Sequence, residues 1–215
     1  MDYTGRTRPA ILLLMLLFFI PVQVKSQDYH ERLFRVFSNT AGITDNHNGY
    51  INYSPGKLLN FHGSMTLFTE RFRNQSFSFA ADVVPLRTGL VDIAAGIHFR
   101  GTFGDIEPAP GIPVSFLFHT VEHKLTFLVQ PEAYWNSGFR IGLNTEGLFI
   151  FPNSMFISAA MKSSQYLPES ERIFSLSAGL TDKILISKIS VHVPDDINFH
   201  QAMVTVSAGL RFIRE

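Results

Sequence analysis

From residue 49 onward the chain alternates. In "VDIAAGIHFRGTF" (91–103), Val91, Ile93, Ala95, Ile97 and Phe99 fall on one side of an extended strand, and Asp92, Ala94, Gly96, His98 and Arg100 on the other. Successive strand side chains point to opposite faces, so this spacing predicts a strand with one apolar and one polar face. The pattern recurs. "NFHGSMTLF" sets Phe61, Met65 and Leu67 against Asn60, His62, Ser64 and Thr66; "SFSFAADVV" sets Phe77, Phe79, Ala81 and Val83 against Ser76, Ser78 and Asp82. "IPVSFLFHTV" sets Val114, Phe116 and Phe118 against Ser115, Leu117 and His119. "LTFLVQPE", "FRIGLNTE", "SMFISAAMK", "RIFSLSAGL", "KILISKISVHV" and "AMVTVSAGLRF" continue it. About ten strands are predicted, within a range of eight to twelve. "GYINYS" is a further candidate strand, and "KILISKISVHV" a candidate for irregularity. "NTAGITDNHNG" reads as loop, and "PLRTG" and "YWNSG" as turns.

Two solvents could explain two such faces. A transmembrane strand of about 9–11 residues turns its apolar side to lipid and its polar side to a lumen. Lipid also requires every backbone group to be paired, which strands achieve only in a closed barrel. The lumen-facing candidates are then His62, Asp82, Asp92, His98, Arg100, His119, Glu132, Arg140 and Glu146, a mixture of charges able to pair with one another. The alternative is a secreted or periplasmic β-sandwich or lipocalin-like binder, with the apolar face as its core. Three features favour the membrane. The polar faces are poor in Lys and rich in Gly, Ser and Ala, unlike a solvated surface. Tight connections at 73–75, 122–124 and Pro152 alternate with the longer "DIEPAPG" and "SSQYLPESE". The length also suits about eight to twelve strands. The fold class is therefore all-β, a closed antiparallel up-and-down transmembrane barrel.

The N-terminus is read as a processing segment. Arg6 and Arg8 precede the apolar run "AILLLMLLFFI", which is too short for a spanning helix; Pro21 ends the run, and Val24 and Ser26 hold the small positions of a cleavage site. The expected organisation is a signal peptide at 1–26, an N-terminal extension at 27–48 containing the short apolar piece "RLFRVF", and the barrel at 49–215. Cleavage would leave 15 of the 18 basic and 17 of the 18 acidic residues. With a formal net charge of zero in the whole chain and no basic cluster, nucleic acid is not an expected partner. Cysteine is absent, which excludes disulfides, thiolate metal sites and a lipidated N-terminal cysteine.

Read as a whole, the mature chain resembles the small outer-membrane β-barrels common in the Bacteroidota. Its closing "VTVSAGLRFIRE" is similar to their final strand, which implies that Phe212 is the aromatic read by the barrel-assembly machinery. That family more often ends on the aromatic itself, whereas here Ile213, Arg214 and Glu215 follow. "GLTDKILIS" with "NFHQAMVTVSAGLRFI" also resembles the C-terminal third of the conjugative-transposon protein TraO family, which implies a place in a conjugation apparatus. The expected partners are outer-membrane lipid, the assembly machinery and other envelope proteins.

No phosphate loop, zinc helix, nucleophile elbow or calcium loop is present. The one enzymatic alternative is an outer-membrane lipid hydrolase or acyltransferase built from Ser115, His119 and Glu132. Ser115 and His119 share a strand face but lie about 13 Å apart along it, so a partner would have to come from a neighbouring strand. An ion-paired lumen accounts for the same residues. The expectation is a non-enzymatic envelope protein with a side-chain-filled lumen, no cofactor and no metal.

Overall fold

In the computed structural model, which describes residues 33–44, 48–66, 76–102, 109–120, 122, 124–135, 138–162, 172–194 and 202–212, the alternating segments are strands. Among these residues there are twelve: β1 (Thr40–Thr44), β2 (Asn48–Tyr53), β3 (Leu59–Thr66), β4 (Ser76–Arg87), β5 (Val91–Thr102), β6 (Ala109–His119), β7 (Leu125–Trp135), β8 (Phe139–Ile150), β9 (Met155–Lys162), β10 (Ile173–Thr181), β11 (Leu185–Pro194) and β12 (Met203–Arg211). Each pairs antiparallel with the next, and β12 pairs with β1, so the sheet closes into one up-and-down barrel. Closure leaves no strand edge with unpaired backbone groups. The predicted signal peptide at 1–26 lies outside the described residues. Among those described, no helix is long and apolar enough to cross a membrane.

Four sequence expectations change. β1 falls in the "NTAGITDNHNG" segment read as loop, so the barrel begins at Thr40 and not at 49. This strand has no apolar stripe to betray it. It forms because β12 and β2 both pair with it, Ile43 meeting Ala208 on one side and Gly49 on the other. β4 runs on through "PLR" to Arg87, with a register shift between Val83 and Leu86. Pro85 sits in that bulge, where the ladder is already interrupted and a missing N–H costs least. The turn comes later: Thr88 N donates to Val91 O (3.0 Å), and Thr88 Oγ1 accepts from Val91 N (2.8 Å). Tyr134 and Trp135 likewise belong to β7 and not to a turn. β11, the candidate for irregularity, pairs continuously with both β10 and β12.

The connections sort by end. Residues 54–58, 88–90, 151–154 and 182–184 close one end with short turns, and residues 120, 122 and 124 lie at the same end between β6 and β7. The same end holds the entry to β1 and the exit from β12, where Phe212 N donates to Asn39 O (2.7 Å). At the opposite end, residues 45–47, 67–75, 103–108, 136–137, 163–171 and 195–201 lie outside the described residues. They include the predicted tight turn at 73–75 and most of the two predicted long loops.

The two faces are inverted relative to a water-soluble protein. On β11, Ile189 is 54 % exposed, while Ser190 beside it is wholly buried. The outward row of every strand repeats this: Ile43, Ile51, Phe79, Ile97, Phe118, Phe127, Ile141, Ile157, Leu176 and Leu210 are among the large apolar side chains left exposed. Inside are Asn48, Asn52, His62, Asp82, His98, Ser115, Gln130, Glu132, Asn144, Glu146, Lys162, Lys188 and His192, all buried. Edge-to-face aromatic pairs stand near both rims, Trp135 with Phe139 at the long-loop end and Phe149 with Phe151 at the short-turn end.

Candidate functional site

Among the described residues, charged side chains converge in the lumen, and its chemistry changes from end to end. Towards the long loops the wall is held together by polar contacts between neighbouring strands. Gln130 Nε2 donates to Ser115 Oγ (2.8 Å), and Asn144 Nδ2 donates to Gln130 Oε1 (3.2 Å), linking β6, β7 and β8. His98 Nδ1 lies 3.0 Å from Glu132 Oε1, reaching from β5 across β6 to β7. That reach is possible because β6 has Gly111 at the intervening position; a Cβ there would collide with the Glu132 carboxylate. On the far wall His192 bridges Ser175 (2.8 Å) and Thr205 (3.0 Å), and Ser177 donates to Ser190 (2.8 Å). Buried polar groups need such partners, since an unsatisfied one costs about 1–3 kcal/mol.

Towards the short turns the inward face becomes apolar. Five consecutive strands present Val84, Ala94, Leu117, Leu128 and Leu148, and Phe156 and Ile186 continue the patch on β9 and β11. These side chains are covered by the chain's own N-terminal segment. Residues Arg35–Phe37 form a single 3-10 turn inside the barrel, and Leu33, Phe34 and Phe37 are buried against the patch. Phe37 stacks edge-to-face on Phe156 (ring centroids 5.4 Å apart) and on Phe34 (6.4 Å). Gly179 on β10 makes room for the Phe156 ring; a Cβ there would press on that ring and on the Ser187 carbonyl.

The segment is pinned at both of its described ends. Asn39 turns the chain into β1 with a φ of 55°, in the left-handed region that Asn tolerates better than most residues. Its side-chain oxygen accepts from Ser54 N (2.9 Å), and Thr40 Oγ1 donates to Phe37 O (2.7 Å). At the mouth, Arg35 donates to Thr88 O (3.2 Å) and lies 3.3 Å from the Asp92 carboxylate. Asp92 also lies 3.5 Å from Arg87 Nε and 3.3 Å from His119 Nε2, and it accepts from Thr88 N (3.1 Å). Asp92 is thus a buried carboxylate at the centre of a cluster with buried His119, partly buried Arg87 and the exposed guanidinium of Arg35.

The residues singled out in the sequence therefore separate into groups. Asp92 and His119 belong to the cluster at the mouth, and His98 and Glu132 form a pair farther in. His62 Nδ1 lies 2.7 Å from Asn52 Oδ1 on β2. Asp82 is buried opposite Asn60 and Gly96, and Glu146 opposite Leu128 and Ala160. Arg140 is half-buried near the long-loop end, in register with Tyr134. Arg100 lies on β5, but its side chain is outside what the structure describes. Ser115, His119 and Glu132 do not come together: Ser115 accepts from Gln130, the His119 ring bridges Asp92 and Thr126, and Glu132 faces His98. The N-terminal segment was not foreseen as a lumenal element. Its signal was the phase break at Leu117, an apolar residue on a polar face, together with the unassigned "RLFRVF".

No family model matches the chain, and no curated protein matches it. Among solved structures it is similar to the KdgM porin, and to the KdgM porin in complex with disordered oligogalacturonate. Each match has a TM-score of 0.60 and 12 % sequence identity, and covers 81 % of this chain and 97 % of that chain. The likeness is one of fold: a closed antiparallel barrel with the architecture of a small porin.

Proposed function

We propose that the protein is a non-enzymatic outer-membrane β-barrel of the envelope-channel type. The single observation that carries this reading is the inversion of faces, with charged and amide side chains buried inside and bare Ile, Leu, Phe and Val outside. In water such a surface would drive aggregation; in a bilayer it is the required one. The porin-like architecture supports the same reading, and so does the export signal expected at 1–26. Twelve strands enclose more space than the ten expected from the sequence, and wider barrels hold channels or plugs and not only packed side chains. A sandwich or lipocalin-like binder would need its apolar face inside. The hydrolase reading lacks its triad among the described contacts.

On this reading outer-membrane lipid is the first partner, and Phe212, exposed beside the β1–β12 seam, is the residue offered to the assembly machinery. Membership of a larger envelope assembly such as a conjugation apparatus rests on the resemblance of the closing segments alone. The test is density-gradient fractionation of cells expressing the full chain, with boiled and unboiled samples run on one gel. We expect the protein in the outer-membrane fraction, with mobility that changes on heating. A soluble periplasmic protein would overturn the proposal.

A further inference from the structure

We propose that residues 33–37 are a releasable stopper, latched by Arg35 on Asp92, which closes the short-turn mouth of the barrel and opens it by swinging out about Asn39. The proposal rests on the barrel reading above and adds a gate to it.

Three observations carry it. First, the apolar patch formed by Leu117, Leu128, Leu148 and Phe156 serves no purpose on a wall that faces water, and it becomes favourable only under a cover. The cover present is Leu33, Phe34 and Phe37. Second, the cover is not part of the sheet. The twelve strands pair and close among themselves, so withdrawing residues 33–37 breaks no strand ladder. Among the described contacts, the segment is held by side-chain packing, by the Thr40 hydrogen bond beside the hinge, and by Arg35 on Asp92 and Thr88 at the mouth. Third, the latch can open without stranding a buried charge. The Arg35 side chain is 41 % exposed and can be taken up by water, whereas Asp92 is buried and keeps Arg87 and His119. Breaking a buried ion pair is costly because it leaves one charge alone, and this arrangement avoids that. Burial of three large apolar side chains makes closed the resting state, so opening is rare until a solute or partner competes for the mouth.

The chain has no cysteine, which makes a thiol reporter clean. Ala94 is wholly buried within the cluster that the stopper covers, so a cysteine there is reached from water only when the stopper leaves, and each comparison is made within the Ala94→Cys background. The full-length protein, matured by export and inserted in vesicles, is exposed to a water-soluble maleimide, alone and with Arg35→Gln. Losing the charge-assisted contacts of Arg35 to Asp92 and Thr88 is expected to speed labelling by at least about tenfold and to raise the open probability of single channels in planar bilayers. Heat-modifiable mobility is expected to stay unchanged. Equal labelling rates with and without Arg35→Gln, in a barrel that is still heat-modifiable, would overturn the stopper while leaving the outer-membrane reading intact. Failure of every variant to enter vesicles would overturn both. Deleting residues 33–37 is a second check: a folded barrel whose conductance matches the parent's excludes the gate.

Discussion

The two ends of the lumen are made of the same strands in the same register, yet they solve opposite problems. At the long-loop end the inward row is amide, hydroxyl, imidazole and carboxylate, tied strand to strand by Ser115–Gln130–Asn144, His98–Glu132 and Ser175–His192–Thr205. At the short-turn end, just inside the Asp92 cluster at the mouth, the inward row is Val84, Ala94, Leu117, Leu128 and Leu148, which have nothing to bond to and are closed over by Phe34 and Phe37. Alternation decides which side chains point inward. What those side chains meet is decided by whether another piece of chain occupies the space. A polar row suits water or a cross-strand partner, and an apolar row suits a plug.

The comparison can be broken at several points. The largest effect is expected from Phe156→Ala. Removing a fully buried aromatic costs about 3–5 kcal/mol where the site cannot collapse, and here the loss takes away the ring that Phe37 stacks on. Unfolding in urea from lipid vesicles, read together with thiol labelling at Ala94→Cys, should show a looser short-turn end. Next comes Ile189→Arg on the outside of β11, expected to cost about 2–4 kcal/mol in a bilayer. The same change on a water-facing surface would fall within about 0.5 kcal/mol, so a neutral result would contradict lipid exposure. Gly179→Ala should cost about 1–3 kcal/mol through overpacking against Phe156 and the Ser187 carbonyl; thermal unfolding in detergent reads it. The smallest effect is Ser115→Ala. It leaves the Gln130 amide short of its acceptor, a loss of about 1 kcal/mol for a neutral hydrogen bond. Any lipid-hydrolase activity of the preparation should survive it unchanged, and its disappearance would restore the enzymatic reading.

Much of this was legible in the sequence, for a physical reason. A period of two needs no tertiary information, so β3 to β12 follow from Phe61, Ile97, Phe118, Phe127 and their alternating neighbours, whereas closure into a barrel follows only once the apolar face is given to lipid. What escaped was whatever depends on a partner strand or segment. Thr40–Thr44 has no stripe of its own and is a strand only because β2 and β12 flank it. Pro85 ordinarily ends a strand, and here it sits in a bulge. The candidate site was read as one lumenal set, which the structure divides between a cluster at the mouth around Asp92 and a His98–Glu132 pair farther in. The plug was hidden because "RLFRVF" is too short to show a period, and because its cradle is drawn from seven strands, each contributing one side chain.

The central claim is that the outward face sees lipid, and the chain carries its own probe. Trp135 is the single tryptophan, 60 % exposed at the end of β7 beside Phe139. Its fluorescence should be measured in vesicles containing brominated lipids and, separately, aqueous iodide. We expect blue-shifted emission that brominated lipid quenches and iodide barely touches. Red-shifted emission quenched by iodide alone would place this face in water and contradict the account.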